Sequence, residues 1–237
     1  MKYLSSDKTI YFGYSFFNIM KAKYKGVIFD LDGTLVDTLE DIGANMNKAL
    51  KLRGYPEHET EEFRDKVGWG IRRLAFLSLP EAARNEENAA LLAADAARFY
   101  AENPQVHARI YPGMNELLTV LRQKKIKTAV LTNKPDPVAQ KVIAGLFPHF
   151  SFDIVQGELA GKPRKPDPAC VWELLVELDL APAGTLFIGD SEIDMETATE
   201  AGCFPMGVSW GYRPRETILT AGARRIIDKP EELLEYF

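Results

Sequence analysis

The stretch "KGVIFDLDGTLVDT", Lys25 to Thr38, constrains this chain more than any other. Gly26 to Phe29 reads as a fully apolar strand, and Asp30 and Asp32 follow with only Leu31 between them. Gly33 comes at once after the pair. Like charges this close repel, and burying either carboxylate unpaired is costly. A fold that keeps both at the tip of a buried strand must offer them compensating charge.

The chain has 237 residues, 46% of them hydrophobic, which suffices for one large domain or two unequal ones. Charged residues make up 27%, a composition that excludes wholesale disorder. The net charge of −5 argues against a nucleic-acid partner, which calls for a basic face. Cys170 and Cys203 make no disulfide framework, so the expected setting is a reducing cytoplasm and the expected role of both is small buried packing. "TIYFGYSFFNIM", Thr9 to Met20, is uncharged and aromatic but too short to span a bilayer. An ordered extension, a membrane-surface anchor and a start at Met20 all suit it. Residues 1–25 are expected to form a non-catalytic extension with no stable membrane association.

Beyond Gly26, short apolar runs alternate with helical patterns. Strands are predicted at Gly26–Phe29, Lys127–Thr132, Phe152–Gln156, Thr185–Gly189 and Met206–Trp210, with "RRIID" as a sixth. Asp136-Pro137 and Asp167-Pro168 read as N-caps followed by proline, and Ala201-Gly202 as a helix end. This order predicts an α/β fold with a parallel sheet covered by helices on both faces. From Thr38 to about Ala108 no strand appears. Thr38 with Asp41 reads as a capping box that opens a helix. A helical insert would thus leave the α/β domain after its first strand and overhang that strand's tip.

In an open parallel sheet, ligands sit beyond the carboxyl ends of the strands. The first strand ends in Asp30 and Asp32, the second in Thr132 and Asn133, the fourth in Asp190, with Asp194 a turn further on. Lys165 sits in the loop "GKPRKPDP", with Lys162 as its rival. If the strands are neighbours, four carboxylates, a hydroxyl, an amide and an ammonium share one pocket. An all-oxygen carboxylate site suits Mg²⁺. A cation, a nucleophilic carboxylate and a lysine can receive a phosphoryl group. The second aspartate can protonate the leaving alcohol and then activate water. Along an extended strand the two side chains would point to opposite faces, so the Gly33 turn must curl the backbone. The demand is large, since phosphate-monoester hydrolysis can require an acceleration of up to ~10²¹-fold.

"FDLDGTLVDT", "LTNKP", "RKPDP" and "GDSEID" together resemble the four motifs of the haloacid dehalogenase-like phosphohydrolases. The likeness runs from about Lys25 to Trp210. "YPGMNELLTVLRQKKIKTAVLTNKP" and "GVSWGY" look most like the phosphoglycolate phosphatase branch. The resemblance implies a Rossmann-like core over residues 26–37 and 109–237 and a helical cap over residues 38–108. It makes Asp30 the nucleophile and Asp32 the general acid/base. Gly33, Thr132, Asn133 and Lys165 would hold the phosphoryl group. Asp30, the Asp32 carbonyl and Asp190 would bind Mg²⁺, with Asp194 supporting them.

Each of these residues also has a plainer structural role open to it. Asp30 and Asp32 could form a strand-end turn, Asp194 could only cap a helix, and Thr132 and Asn133 could be a plain strand exit. In the insert, "GWGIRR" could be a helix–helix turn, or it could place Trp69, Arg72 and Arg73 against substrate. Lys134 reads as surface charge. The function expected is a phosphomonoesterase acting on a small phosphate ester, first of all phosphoglycolate, as a monomer or homodimer. Pyrophosphate hydrolysis, a sugar-phosphate mutase and a non-catalytic phosphate- or partner-binding relic of the fold are the alternatives.

Overall fold

The computed structural model describes residues 24–237. The expected extension over residues 1–25 therefore lies, up to residue 23, outside the described residues. Strand β1 spans Gly26–Phe29, and a short β2 spans Val36–Asp37. Three helices follow: α1 (Leu39–Leu52), α2 (Ile71–Ser78) and α3 (Glu86–Glu102). The short β3 (Arg109–Ile110) then leads to α4 (Met114–Gln123), β4 (Lys127–Pro135), α5 (Asp136–Leu146) and β5 (Ile154–Glu158). The chain continues through α6 (Ala169–Leu178), β6 (Thr185–Gly189), α7 (Glu192–Ala201), β7 (Phe204–Val208), α8 (Arg215–Thr220) and β8 (Arg225–Ile227).

Six strands form one parallel sheet in the order β5-β4-β1-β6-β7-β8. The short apolar runs can be central strands because both faces of the sheet are covered. Val27 and Phe29 face one core cluster, while Ile28 between them faces another with Ala129, Leu131 and Phe187. That second face is closed by α6, whose Cys170, Val171, Leu174, Leu175 and Leu178 recur at helical spacing and are all buried. Each buried leucine stabilises by roughly 1.5–3 kcal/mol. Both cysteines lie in this cluster, as small apolar packing.

The strand order decides where chemistry can occur. β1 lies between β4 and β6, so the three strand ends that carry polar residues are adjacent. Helices α1 to α3 stand between β2 and β3, which pair antiparallel through Val36–Ile110 and Asp37–Arg109. The outgoing and returning chains thus leave the core side by side. Both α1 and α2 pack on α3, whose Ala89, Leu92, Ala93, Ala96 and Tyr100 make one buried stripe. Small residues there let the helices approach closely.

Several local expectations change. The capping box at Thr38 is absent: the Thr38 hydroxyl donates to Asp32 Oδ1 at 2.6 Å. The Asp41 carboxylate instead accepts from the main-chain N–H groups of His107 and Ala108, tying α1 to the returning chain. Pro135 and Pro168 occupy the N-cap positions expected of Asp136 and Asp167. Asp136 instead accepts from Gly157 N at 2.9 Å. β7 begins two residues before the expected Met206, because Pro205 is tolerated near a strand start. Gly202 ends α7 with φ 79°, as expected of a left-handed helix end.

Candidate active site

The backbone after β1 curls as two carboxylates on one side require. The N–H groups of Thr34, Leu35 and Val36 all donate to Leu31 O, at 3.3, 3.0 and 3.1 Å. Gly33 makes the curl possible with φ +82°, and a Cβ there would strike the Asp190 carboxylate. Asp30 and Asp32 consequently line the same cavity, together with Thr132, Asn133, Lys134, Lys165 and Asp190.

Lys165 lies between two carboxylates, 2.8 Å from Asp30 Oδ1 and 2.6 Å from Asp194 Oδ1. All three residues are buried. Asp194 also caps α7, since its other oxygen accepts from Ser191 N at 3.1 Å and Ser191 Oγ at 2.6 Å. Lys162 lies outside the cluster, on the surface with Glu173 at 3.6 Å. Asp190 accepts from Tyr212 N at 2.7 Å and from the Thr34 hydroxyl at 3.3 Å. Gly189 and Gly211 leave room for this packing, because a Cβ on either would collide with Asp194 or Asp190.

The electrostatics of the cluster define what it lacks. Burial pushes the Asp30 pKa up to about 7, with Lys165 opposing and Asp194 adding to the rise. Burial also raises Asp190, with the Asp194 and Asp30 charges acting in the same direction. Burial opposes the charge of Lys165, but Asp194 and Asp30 outweigh it and hold its pKa above the ordinary value. One ammonium faces three buried carboxylates. Oxygens of Asp30, Asp190 and Asp194 lie within 4.8 Å of one another, and Asp30 Oδ1 has no aligned hydrogen-bond donor. An all-oxygen donor set with surplus negative charge fits a hard divalent cation such as Mg²⁺.

Asp32 is held separately. Lys134 Nζ donates to both its oxygens, at 2.8 and 3.0 Å, and Thr38 Oγ1 donates to Oδ1. The expectation that Lys134 is surface charge is thus corrected: its side chain is 2% exposed. The main-chain N–H of Thr38 donates to the Tyr212 hydroxyl at 2.8 Å, which links the Asp32 support to the residue holding Asp190.

Gly33 is not among the residues that line the cavity, and its N–H donates to Val36 O at 2.9 Å. Asn133 does line the cavity, but its side-chain NH₂ donates to Gly68 O at 3.0 Å and Lys165 O at 2.9 Å. Thr132 lies in the wall, its hydroxyl accepting from Lys134 N at 3.2 Å.

Helices α1 to α3 supply the opposite wall through Ile42, Asn45, Met46, Leu74, Ala96 and Tyr100. Trp69 and Arg72 are not part of that wall. Helix α2 turns Ile71 and Leu74 inward, leaving Arg72 exposed beside Glu86 at 3.1 Å and Arg73 exposed as well. The Trp69 carbonyl accepts from Arg164 at 2.7 Å. Arg213, which had no expected role, donates to the carbonyls of Arg64, Asp65 and Val67 and pairs with Glu192 at 3.1 Å. Three core side chains, Asn133, Arg164 and Arg213, thus hold one loop of the cap by its carbonyls. "GVSWGY" signals Tyr212, but nothing in a single sequence shows where the neighbouring arginine reaches.

A Rossmann-like sheet, a helical insert over its strand tips and a buried carboxylate cluster with two lysines together describe a hydrolase site. The family model of the haloacid dehalogenase-like hydrolases matches residues 27–208. A phosphoglycolate phosphatase of Vibrio cholerae is 32% identical over 218 residues, covering 89% of this chain and 96% of its own. One from Aquifex aeolicus is 32% identical over 186 residues, covering 78% and 85%. A solved structure from Lactobacillus delbrueckii subsp. bulgaricus superposes with a TM-score of 0.83 at 31% identity, covering 90% and 98%. The chain belongs to the haloacid dehalogenase-like hydrolases and is an enzyme of that family. No helix among the described residues is long and apolar enough to cross a membrane.

Proposed function

We propose that this chain is a cytoplasmic, Mg²⁺-dependent phosphomonoesterase that acts through an aspartyl-phosphate on Asp30, with phosphoglycolate as substrate. Residues 38–108 form its cap and residues 26–37 and 109–237 its core. The observation that carries the reading is the separate holding of the two aspartates. Asp30 lies with Lys165 in the carboxylate cluster, while Asp32 stands apart with Lys134 and Thr38. The names of the Vibrio cholerae and Aquifex aeolicus relatives support the choice of substrate.

In this mechanism Asp30 attacks phosphorus, an oxygen–phosphorus bond forms, and the bond to the leaving oxygen breaks. Asp32, protonated, gives its proton to that leaving oxygen. Asp32 then takes a proton from the water that attacks phosphorus, and Asp30 and inorganic phosphate are released. Lys165 offsets negative charge beside Asp30, and Thr132 offers its hydroxyl to the phosphoryl oxygens. Asp30, Asp190 and the Asp32 carbonyl would hold Mg²⁺, with Asp194 supporting them. When bound, the ion supplies positive charge to the phosphoryl group. The test is initial-rate hydrolysis of 2-phosphoglycolate with Mg²⁺ or with a chelator, beside Asp30→Asn. Turnover that needs both Mg²⁺ and Asp30 is expected; metal-independent turnover, or near-normal turnover in Asp30→Asn, would contradict the mechanism.

A further inference from the structure

We infer that Lys134, with the Tyr100 hydroxyl beside it, binds a carboxylate carried by the leaving group of the substrate; this rests on the phosphatase reading above. The cavity wall carries three cations among the described residues, and two are already surrounded by partners. Lys165 lies between Asp30 and Asp194, and Arg213 between Glu192 and three carbonyls. Lys134 has one acidic partner, Asp32, which takes two of its donors. An ammonium has three donors.

Position decides what the third donor can meet. Asp32 is the group that must reach the leaving oxygen, and Lys134 Nζ lies 2.8 Å from it. A substituent one or two bonds beyond the leaving oxygen therefore falls within reach of Lys134, whereas the phosphoryl group belongs to the Lys165 side. The two lysines divide the cavity between the two ends of a substrate.

The cap wall supplies the second observation. The Tyr100 ring lies 4.3 Å from Lys134 Nζ. Tyr100 lines the cavity, and its hydroxyl is buried beside the ammonium without an aligned hydrogen bond. Leaving a buried hydroxyl without an aligned partner is costly, and a ligand accepting from it would recover that cost. A carboxylate has acceptor sites for both Lys134 and Tyr100. Asn45 Oδ1, also buried without a partner, accepts only and takes no part in this contact. The rest of the cap wall, Ile42, Met46, Leu74 and Ala96, is apolar and offers nothing to a large polar leaving group. The chemical class that fits is a short leaving group with one carboxylate close to the ester oxygen.

The test compares 2-phosphoglycolate with ethyl phosphate, which has the same chain length and no carboxylate. Wild type, Lys134→Met and Tyr100→Phe are measured for kcat/KM on both esters. Ethyl phosphate reports what each change does through Asp32, so the informative quantity is the ratio. Wild type should favour the carboxylated ester by ~10²-fold or more. Lys134→Met should cut that preference at least about tenfold, and Tyr100→Phe about threefold to tenfold, with KM for the carboxylated ester rising. Tyr100→Phe removes one hydroxyl and keeps the ring, so it decides the matter if Lys134→Met fails to fold. Parallel losses on both esters would overturn the inference and leave Lys134 as a positioning residue for Asp32. A wild type indifferent to the carboxylate would overturn it while leaving the phosphatase reading intact. Hydrolysis of neither ester would overturn that reading, and the inference with it.

Discussion

Lys165→Ala removes the ammonium that lies 2.8 Å from Asp30 and 2.6 Å from Asp194. Asp190 is the third carboxylate of the cluster, so three buried acids then face one another without a cation. Breaking a buried ion pair by deleting one partner costs ~3–5 kcal/mol. For a chain of this size that corresponds to a drop in Tm of roughly 6–20 °C. The loss must depend on pH, because Asp30 is already raised to about 7 with Lys165 present. A carboxyl whose folded pKa is raised loses stability as pH climbs from its unfolded value of ~4 toward the folded one. Without Lys165 the folded pKa rises further and the window extends to higher pH. The difference between variant and wild type should therefore be small near pH 4 and largest near pH 8. Thermal unfolding in chelator at several pH values measures it. Added Mg²⁺ should restore part of the loss, since binding to the folded cluster stabilises it by mass action. A variant within ~0.5 kcal/mol of wild type at pH 8 in chelator would mean that the three carboxylates do not depend on Lys165 for compensating charge.

Asp32→Asn should lower turnover of alkyl phosphates by ~10²–10⁴-fold and of p-nitrophenyl phosphate much less, because a nitrophenolate needs no proton to leave. Equal losses on the two would argue against Asp32 as the acid. Arg213→Ala deletes charged hydrogen bonds to the carbonyls of Arg64, Asp65 and Val67. It should cost ~2–4 kcal/mol and speed protease cutting in that loop, while unchanged cutting would mean that other contacts hold the cap. Thr38→Val removes one of the donors that hold Asp32 and should lower kcat on alkyl esters by about threefold to thirtyfold with KM little changed. A rise in KM alone would instead place Thr38 in substrate binding.

Much of the core was legible because local signals and the burial of the sheet agree. Gly26–Phe29 and Thr185–Gly189 are strands over the expected residues. The apolar run of a doubly covered strand carries its own boundary, since polar residues follow at once. β5 and β7 differ from expectation by two residues, where Pro205 and the polar strand ends blur the pattern. The acidic motifs were legible as a set because their spacing along three strands is local, and the sheet order then made the strand tips neighbours.

What could not be read depends on partners distant in the chain. Lys134 looks like surface charge until Asp32, 102 positions earlier, and the Tyr100 ring enclose it. Thr38 and Asp41 carry the capping-box pattern, yet each finds a stronger tertiary partner in Asp32 or in the returning chain. Arg72 was a natural candidate for an anionic substrate. Helix α2 buries Leu74 and leaves Arg72 exposed beside Glu86, and the sequence alone does not say which face of that helix turns inward. Arg213 gives no signal, because it reaches the cap loop through main-chain carbonyls, which no residue type announces.

The mechanism stands or falls with the covalent phosphorylation of Asp30. An acyl phosphate is reduced by borohydride to an alcohol, which converts a phosphorylated aspartate into homoserine. Rapid quenching of the enzyme with borohydride during turnover of 2-phosphoglycolate, followed by peptide mass spectrometry, reads that conversion directly. Homoserine is expected at position 30, dependent on both substrate and Mg²⁺ and absent from Asp30→Asn. Conversion at another aspartate, or active turnover with none at position 30, would contradict it.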